Sequence, residues 1–469
     1  MALSYCWGQA RHERSLTTES NIDARFHGFP IDDLSRTLQD AILTTRALGI
    51  NYIWIDAICT VQGNPDDWAR EASKMGEIYN HAYLTLAPVI SESARDGFLQ
   101  DRQPCFKASL EFNFHELQSI RAHPETSKTG TIHFRYPPET GIENHLSTCK
   151  WNQRGWTLQE KLLSTRILYF TKDVLYFKCM TSQQVENHGY ILPERQRFHA
   201  LLAESRSMKL VERDQKRKNY FSDWYKITEV YTMRAITNPG DKLPAVQGLA
   251  ELCKDVLDDD CIYGLWKSDL HLGLLWHSLY GLSCKLSRHE DGMPTWSWAS
   301  RDGCVFWDKS TFTCGWKSLI NVLNVSSHRK CSHCEQTKSV QLEVMAPVAP
   351  LKDVLLAIVE LDGDDWHPED LREVTTWREY EDFGCLETDD DRDTPMSLDG
   401  TEMMLVVEKE ETKNIQAIIL QSSGNSNFFK RIGWFILKPT RGEMLESYYD
   451  DRDFKAIRKV FKPGKRILV

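Results

Sequence analysis

No run of eighteen apolar residues occurs anywhere in the 469-residue chain, so no membrane-spanning helix is expected. The N-terminal stretch "MALSYCWGQARHERS" lacks a basic leader followed by an apolar core, which argues against a secretory signal. A strand that begins almost at the first residue leaves two readings open, a short natural N-terminus or a trimmed one. The thirteen cysteines are odd in number and irregularly spaced, which favours reduced thiols in a cytoplasmic compartment over a disulfide framework. No P-loop, no G-x-G-x-x-G after a strand and no H-E-x-x-H is present. No internal repeat is found. A basic surplus is missing too: the net charge is −10. Segment 360–393 alone holds 15 acidic and 3 basic residues, and the remainder is near neutral at about +2. Nucleic acid is therefore not an expected partner. The one basic run, "RDQKRKN" at 213–219, reads as a solvated helix end or loop rather than a phosphate-binding patch.

What is present begins with "LSYCW" at 3–7, read as a strand that Gly8 ends. Leu34, Leu38, Ile42 and Leu48 recur at near-helical spacing, and Gly49 follows where a helix C′ glycine belongs. "YIWIDAIC" at 52–59 is a continuous apolar run suited to a strand covered on both faces. A helix is expected after Asn64, a capping residue, with Pro65 at its first position and Asp66 and Asp67 at the positive end of its dipole. "YLTLAP" then gives a third strand. This β-α-β-α-β order predicts a parallel α/β sheet with helices on both faces. Ligands in such sheets sit beyond the C-terminal strand ends, here near Tyr5 to Gly8, Asp56 to Gln62, and Pro88.

Periodicity fails over about 90–149, which reads as a long insertion. Order returns with a helix over 155–164 and strands over 166–170 and 174–179. Helical periodicity marks much of 192–284. "MPTWSWASRDG" has strand character, and "PTWSWAS" reads as aromatic packing, with a ligand-binding box as the other possibility. The tail is strand-like at "SVQLEVMAPV", "LLAIVEL", "MMLVVEKE", "QAIILQ" and "RIGWFILK", and the acidic 360–393 stretch reads as an exposed loop. The expected division is 1–190, 191–300 and 301–469.

Four blocks stand in order: "ALSYCWG", "YIWIDAICTVQG", "DDWAREASKMGEIYNHAYLTLAP" and "RGWTLQEKLLSTRILYF". Together they resemble the signature blocks of the fungal heterokaryon-incompatibility (HET) domain. "DKLPAVQGLA", "YGLWKSDLHLGLLW" and "PTWSWAS" are similar to segments that commonly follow it. The resemblance implies a role in non-self recognition and programmed cell death after fungal cell fusion. A more distant likeness is to TIR domains, which have a flavodoxin-like sheet. It implies that "LSYCWG" forms one wall of a nucleotide site and that Glu160 matches the glutamate with which TIR enzymes cleave the nicotinamide–ribose bond of NAD. NAD is then a substrate and no prosthetic group is expected. Self-association and an incompatibility or signalling partner are implied by the same likeness. The alternative is a non-catalytic interaction module that recruits cell-death partners.

The site residues follow. Glu160 is the candidate catalytic group. Ser4, Tyr5, Cys6, Trp7, Gly8, Asp56, Gln62, Arg154 and Trp156 are candidate substrate-binding residues. Trp156 lies one helical turn from Glu160, so an indole could stack on a base while the carboxylate meets the ribose. Arg154 could touch a phosphate or hold Glu160 ionised. The residues leave other roles open for Glu160: a helix-stabilising glutamate, or a buried ion pair with Arg154 or Arg166. Glu71 is the rival acid, placed by its phase among the apolar Trp68, Ala72, Met75, Ile78 and Tyr79 of its helix. It is either a satisfied structural glutamate or part of the site. Trp68, Met75 and Tyr79 themselves read as core. Asp56 either caps the following loop or serves the site. Cys6 and Cys59 have no evident activating base. Cys331 and Cys334, with His328 and His333 nearby, have C-x-x-C spacing but lack a second pair, so no metal is assigned.

Overall fold

The computed structural model describes residues 1–8, 13–101, 107–113, 129–135, 142–186, 191–193, 210–278, 285–286, 293–308, 312, 315–327, 340–362, 379–380, 384–388, 399–409, 414–424, 428–437 and 457–469. The chain divides into two compact units, Met1–Ala200 and Leu201–Val469.

The first unit is built on a mixed sheet with the order β1 (Ala2–Leu3), β2 (Thr85–Ala87), β5 (Arg166–Phe170), β6 (Leu175–Cys179), β7 (Ser182–Val185), β8 (Ile191–Pro193). β1, β2 and β5 run parallel, whereas β5 to β8 form an antiparallel meander. The expected all-parallel sheet is thus corrected to a mixed one. A parallel bridge between Ala2 and Trp54 adds one residue of a further strand on the outer side of β1. In chain order the parallel segments are β1, the Trp54 bridge, β2 and β5, so their spatial order is 2-1-3-4. That is the beginning of a doubly wound order, with its switch point beside β1.

Both early strands are shorter than expected. β1 ends at Leu3, and Ser4 to Gly8 leave the sheet. The 52–59 run pairs only at Trp54 and then turns into a helical turn, Asp56–Cys59. The physical reason is Asp56. Its carboxylate accepts the Ala57 N–H at 2.7 Å and the Trp7 indole N–H at 2.8 Å, bonds a continuing strand could not make. Continuous apolar runs of this length do not separate strand from helix by periodicity.

Helix α1 (Arg36–Ala47) ends as its spacing predicts. Gly49 has φ +70°, its N–H reaches Arg46 O at 2.9 Å, and the Ile50 N–H reaches Thr45 O at 3.1 Å, which is a Schellman closure. Helix α2 (Pro65–His81) starts on the Asn64 side chain, which accepts from the Asp66 and Asp67 N–H groups. Helix α3 (Trp156–Leu163) precedes β5. Side chains alternate across the sheet. Leu3, Tyr5, Leu86 and Phe170 enter a core with Leu34, Leu38 and Ala41 of the α1 side. Cys6, Ala87, Ile167 and Tyr169 enter the opposite core with Trp151, Ile142 and Leu146. Within the stretch read as an insertion the structure places regular elements: a β3–β4 hairpin (Lys107–Asn113 with Thr129–Arg135) and a helix Ile142–Thr148.

Gly8 makes the turn out of the site. It has φ +80°, and a Cβ there would lie 2.5 Å from Ser93 Cβ. Gly8→Ala is expected to destabilise the first unit by about 2 kcal/mol, from the left-handed backbone and the clash together. A fall in the thermal midpoint would register it. An unchanged midpoint would show that the 91–97 turn yields freely.

The second unit has helices Leu210–Thr232 and Pro244–Leu257, then a mainly antiparallel sheet, nine-stranded among the described residues. Four of the five tail runs are strands within it. The fifth, "LLAIVEL", belongs to a helix, Leu351–Asp362. Leu351, Val354 and Leu355 are buried at i, i+3 and i+4, so a helical stripe rather than alternation sets the fold there. "PTWSWAS" is a turn and a 3₁₀ segment, Trp298–Ser300, not a strand; the Ser297 hydroxyl accepts the Ala299 N–H at 3.1 Å and turns the chain. Parts of the acidic stretch are strands, Glu379–Tyr380 and Gly384–Thr388; they pair as a hairpin, and Gly384–Thr388 joins the sheet edge against Phe428–Leu437. Residues 360–362 end the helix Leu351–Asp362, and the remainder of that stretch, with Cys331, Cys334, His328 and His333, lies outside the described residues. The basic run at 213–219 falls within helix Leu210–Thr232.

Candidate functional site

Ser4 follows β1 directly, with its N–H on Leu86 O at 2.9 Å, so the pairing of β1 with β2 fixes it. Glu160 sits in the second turn of α3 and points at it. The Ser4 hydroxyl donates to Glu160 Oε2. The Trp151 indole N–H donates to Ser4 Oγ at 2.7 Å and to Ser4 O at 3.1 Å. Tyr79 of α2 donates its hydroxyl to Leu3 O at 3.0 Å and lies against the Glu160 carboxylate. Glu160 is 5% exposed, Ser4 1% and Trp151 0%. The acid therefore lies inside the unit, with its polar partners supplied by β1, α2 and the segment before α3.

Burial governs its chemistry. Removal from water pushes the Glu160 carboxyl up to about 7, and the Asp56 charge adds to this. Arg154 and the bonds from Ser4 and Tyr79 pull the other way without overcoming it. A rise of that size corresponds to about 3 kcal/mol against the charged form.

Asp56 is half-buried and held by Trp7 and Ala57. Burial raises its carboxyl, while Arg154, Trp7 and Tyr5 favour its charge. Arg154 donates to Tyr5 O, and its charge acts on both acids. Gln62 binds the Asp56 and Thr60 carbonyls at 3.3 and 3.1 Å, so it braces the turn carrying Asp56. The structure thus gathers Ser4, Tyr5, Trp7, Asp56, Gln62, Arg154 and Glu160 around the end of β1.

Cys6 is buried beside them, with its thiol pushed up to about 11 by desolvation. Cys59 is also raised, chiefly by desolvation. Both are the reverse of an activated nucleophile. Cys6, Cys59, Cys149, Cys179, Cys253, Cys261 and Cys304 are free thiols. Glu71 turns to Arg70 and Lys74, at 3.4 and 3.3 Å. Trp68 is not core: it is 38% exposed and meets Trp156 edge to face at 6.4 Å between centroids. Arg166 lies over the Tyr83 ring and donates to Tyr83 O. Among the described residues no group of three or more His, Cys, Asp or Glu is placed to hold a metal ion. No described helix is long and apolar enough to cross a membrane.

Sequence reasoning missed Trp151 and the polar role of Tyr79. Trp151 lies nine residues before Glu160, just ahead of the block that begins at Arg154. Tyr79 showed only an apolar helix phase, and its hydroxyl carries the unread signal, since a buried phenol needs a partner.

Residues 1–160 match the family model described as heterokaryon incompatibility protein (HET). The first unit carries a HET domain. Its matched span covers β1, α1, α2, β2 and most of α3, and ends on Glu160 itself. No curated protein matches the chain, and no solved structure does. The HET domain points to a role in heterokaryon incompatibility.

Proposed function

We propose that this chain acts in heterokaryon incompatibility as a cell-death effector, and that its HET domain hydrolyses NAD at the nicotinamide–ribose bond, as the likeness to TIR domains implies. The observation that carries the reading is the convergence of Glu160 with Ser4, Asp56 and Arg154 at the C-terminal end of β1, beside the switch point of the sheet. Doubly wound sheets bind ligands at that place.

The chemistry asks for little more. Nicotinamide leaves as a neutral molecule, so acid assistance is not required. Positive charge develops on the ribose, and a carboxylate facing it stabilises the transition state. Glu160 has this role. Trp156 stacks on a ring of the substrate, and Arg154 meets a phosphate. Self-association belongs to the same reading. The test is nicotinamide release from NAD by the purified full chain, including at concentrations that drive oligomerisation. Release that Glu160→Ala removes supports the reading. No release under any of these conditions overturns it.

One observation favours a second reading, the non-catalytic recruiting module. Glu160 is 5% exposed and its carboxylate is already engaged by Ser4. A ligand reaches it only if the Ser4 segment or α3 moves. Under that reading Glu160→Ala changes stability and partner recruitment but no turnover.

A further inference from the structure

Within the HET domain the three side chains Trp151, Ser4 and Glu160 form one hydrogen-bonded line, and its direction is fixed by chemistry. An indole N–H only donates. Ser4 Oγ must therefore accept from Trp151, at 2.7 Å, and its own proton is left to point at Glu160 Oε2. All three are buried, so no solvent competes for these bonds. The contacts span 147 and 156 residues of sequence, and the line ties β1 to the segment before α3 and to α3 itself.

We propose that Trp151 and Ser4 are positioning residues for Glu160: a donor relay, indole to hydroxyl to carboxylate, that aims Oε2 at one place beyond β1 and favours its ionised form. A hydroxyl whose lone pair is engaged by a donor becomes a stronger donor itself. The inference deepens the proposed hydrolase reading and rests on it for any part in catalysis, but the relay itself exists without substrate.

Other charged and titratable groups face Glu160 as well. Arg154 stands before α3, Asp56 in the turn after the Trp54 bridge, Tyr79 on α2, and Tyr5 and Cys6 on the segment after β1. Arg154 and Tyr79 favour the charged carboxylate and Asp56 opposes it. The relay is separable from them because its two members are changed without touching a charge.

The test is a titration of the full chain labelled with [13C]carboxyl glutamate. The Glu160 signal is assigned by its loss in Glu160→Gln. Ser4→Ala should raise the Glu160 midpoint by about one pH unit, the loss of one charge-assisted bond. Trp151→Phe should raise it by a smaller amount, and Ser4→Thr, which keeps the hydroxyl, should restore it. If Ser4→Ala does not fold, Ser4→Cys, a weak donor of similar size, takes its place with the same expectation. A midpoint unmoved by Ser4→Ala or its substitute, or unmoved by Trp151→Phe, overturns the relay. No NAD enters this measurement. A wild-type chain that releases no nicotinamide would thus remove the proposed reaction and leave the relay standing, while an unmoved midpoint with active enzyme would do the opposite.

Discussion

Glu160→Gln should lower nicotinamide release from NAD by about 10²- to 10³-fold, with the fold retained. The amide is the same size, and its carbonyl oxygen can still accept the Ser4 hydroxyl. What it lacks is charge. Losing one preorganised electrostatic partner of a transition state costs roughly 3–4 kcal/mol, which is the fold-change given. The pH dependence of the wild type follows from the same group. In the proposed reaction Glu160 acts as an anion, and burial sets its midpoint at about 7. Release should therefore fall about tenfold per unit below that midpoint and level off above it. Asp56→Asn has a second signature. It removes a negative neighbour that opposes the ionisation of Glu160, so the midpoint should move down. A rate unchanged in Glu160→Gln, measured as initial nicotinamide release at pH 8, would assign the carboxylate to packing alone.

The parts of this arrangement that a reader of the sequence can find are those encoded locally. Asn64 and Pro65 announce α2, and Gly49 announces the end of α1, because capping is decided within a few residues. β5 is legible at its observed bounds, Arg166–Phe170, since β-branched and aromatic residues fill it between Thr165 and Thr171. Glu160 is nominated by the likeness of its block to TIR domains and not by any local code. Where local codes are ambiguous the reading slips. The 52–59 run is apolar enough for a strand, but Asp56 meets Trp7, 49 residues away, and the chain turns. The run "LLAIVEL" reads as a strand for the same reason yet lies within the helix Leu351–Asp362: seven apolar-rich residues do not declare their period. Tyr79 reads as core, and its burial agrees, but neither the contact of the Trp151 indole nor that of the Tyr79 hydroxyl is legible. Their polar contacts to the Ser4 and Leu3 segment span 147 and 76 residues, and nothing nearby in sequence states them.

The second large effect is on stability, and its sign follows from the same burial. In the unfolded chain Glu160 releases its proton near 4.5; in the folded chain it holds that proton up to about 7. Between these values the folded state binds the proton and the unfolded state does not, so raising the pH favours unfolding. The stability that protonated Glu160 contributes is fully present below about 4.5 and is lost as pH climbs through about 7. Integrated over the window, the loss is about 3 kcal/mol. Asp56, also raised, acts in the same direction. Glu160→Gln cannot titrate, so comparing it with the wild type isolates the single group. The thermal midpoint of the first unit's transition, followed in the full chain at pH 5 and pH 8, should fall more steeply in the wild type than in Glu160→Gln, by roughly 5–10 °C. The variant should be the more stable of the two at pH 8, because it is spared a buried charge that Ser4, Tyr79 and Arg154 only partly compensate. Parallel curves would mean that water reaches the carboxylate. A chain that keeps a destabilising anion in its interior at neutral pH accepts a cost that packing alone does not require, and the catalytic reading gives that cost a purpose.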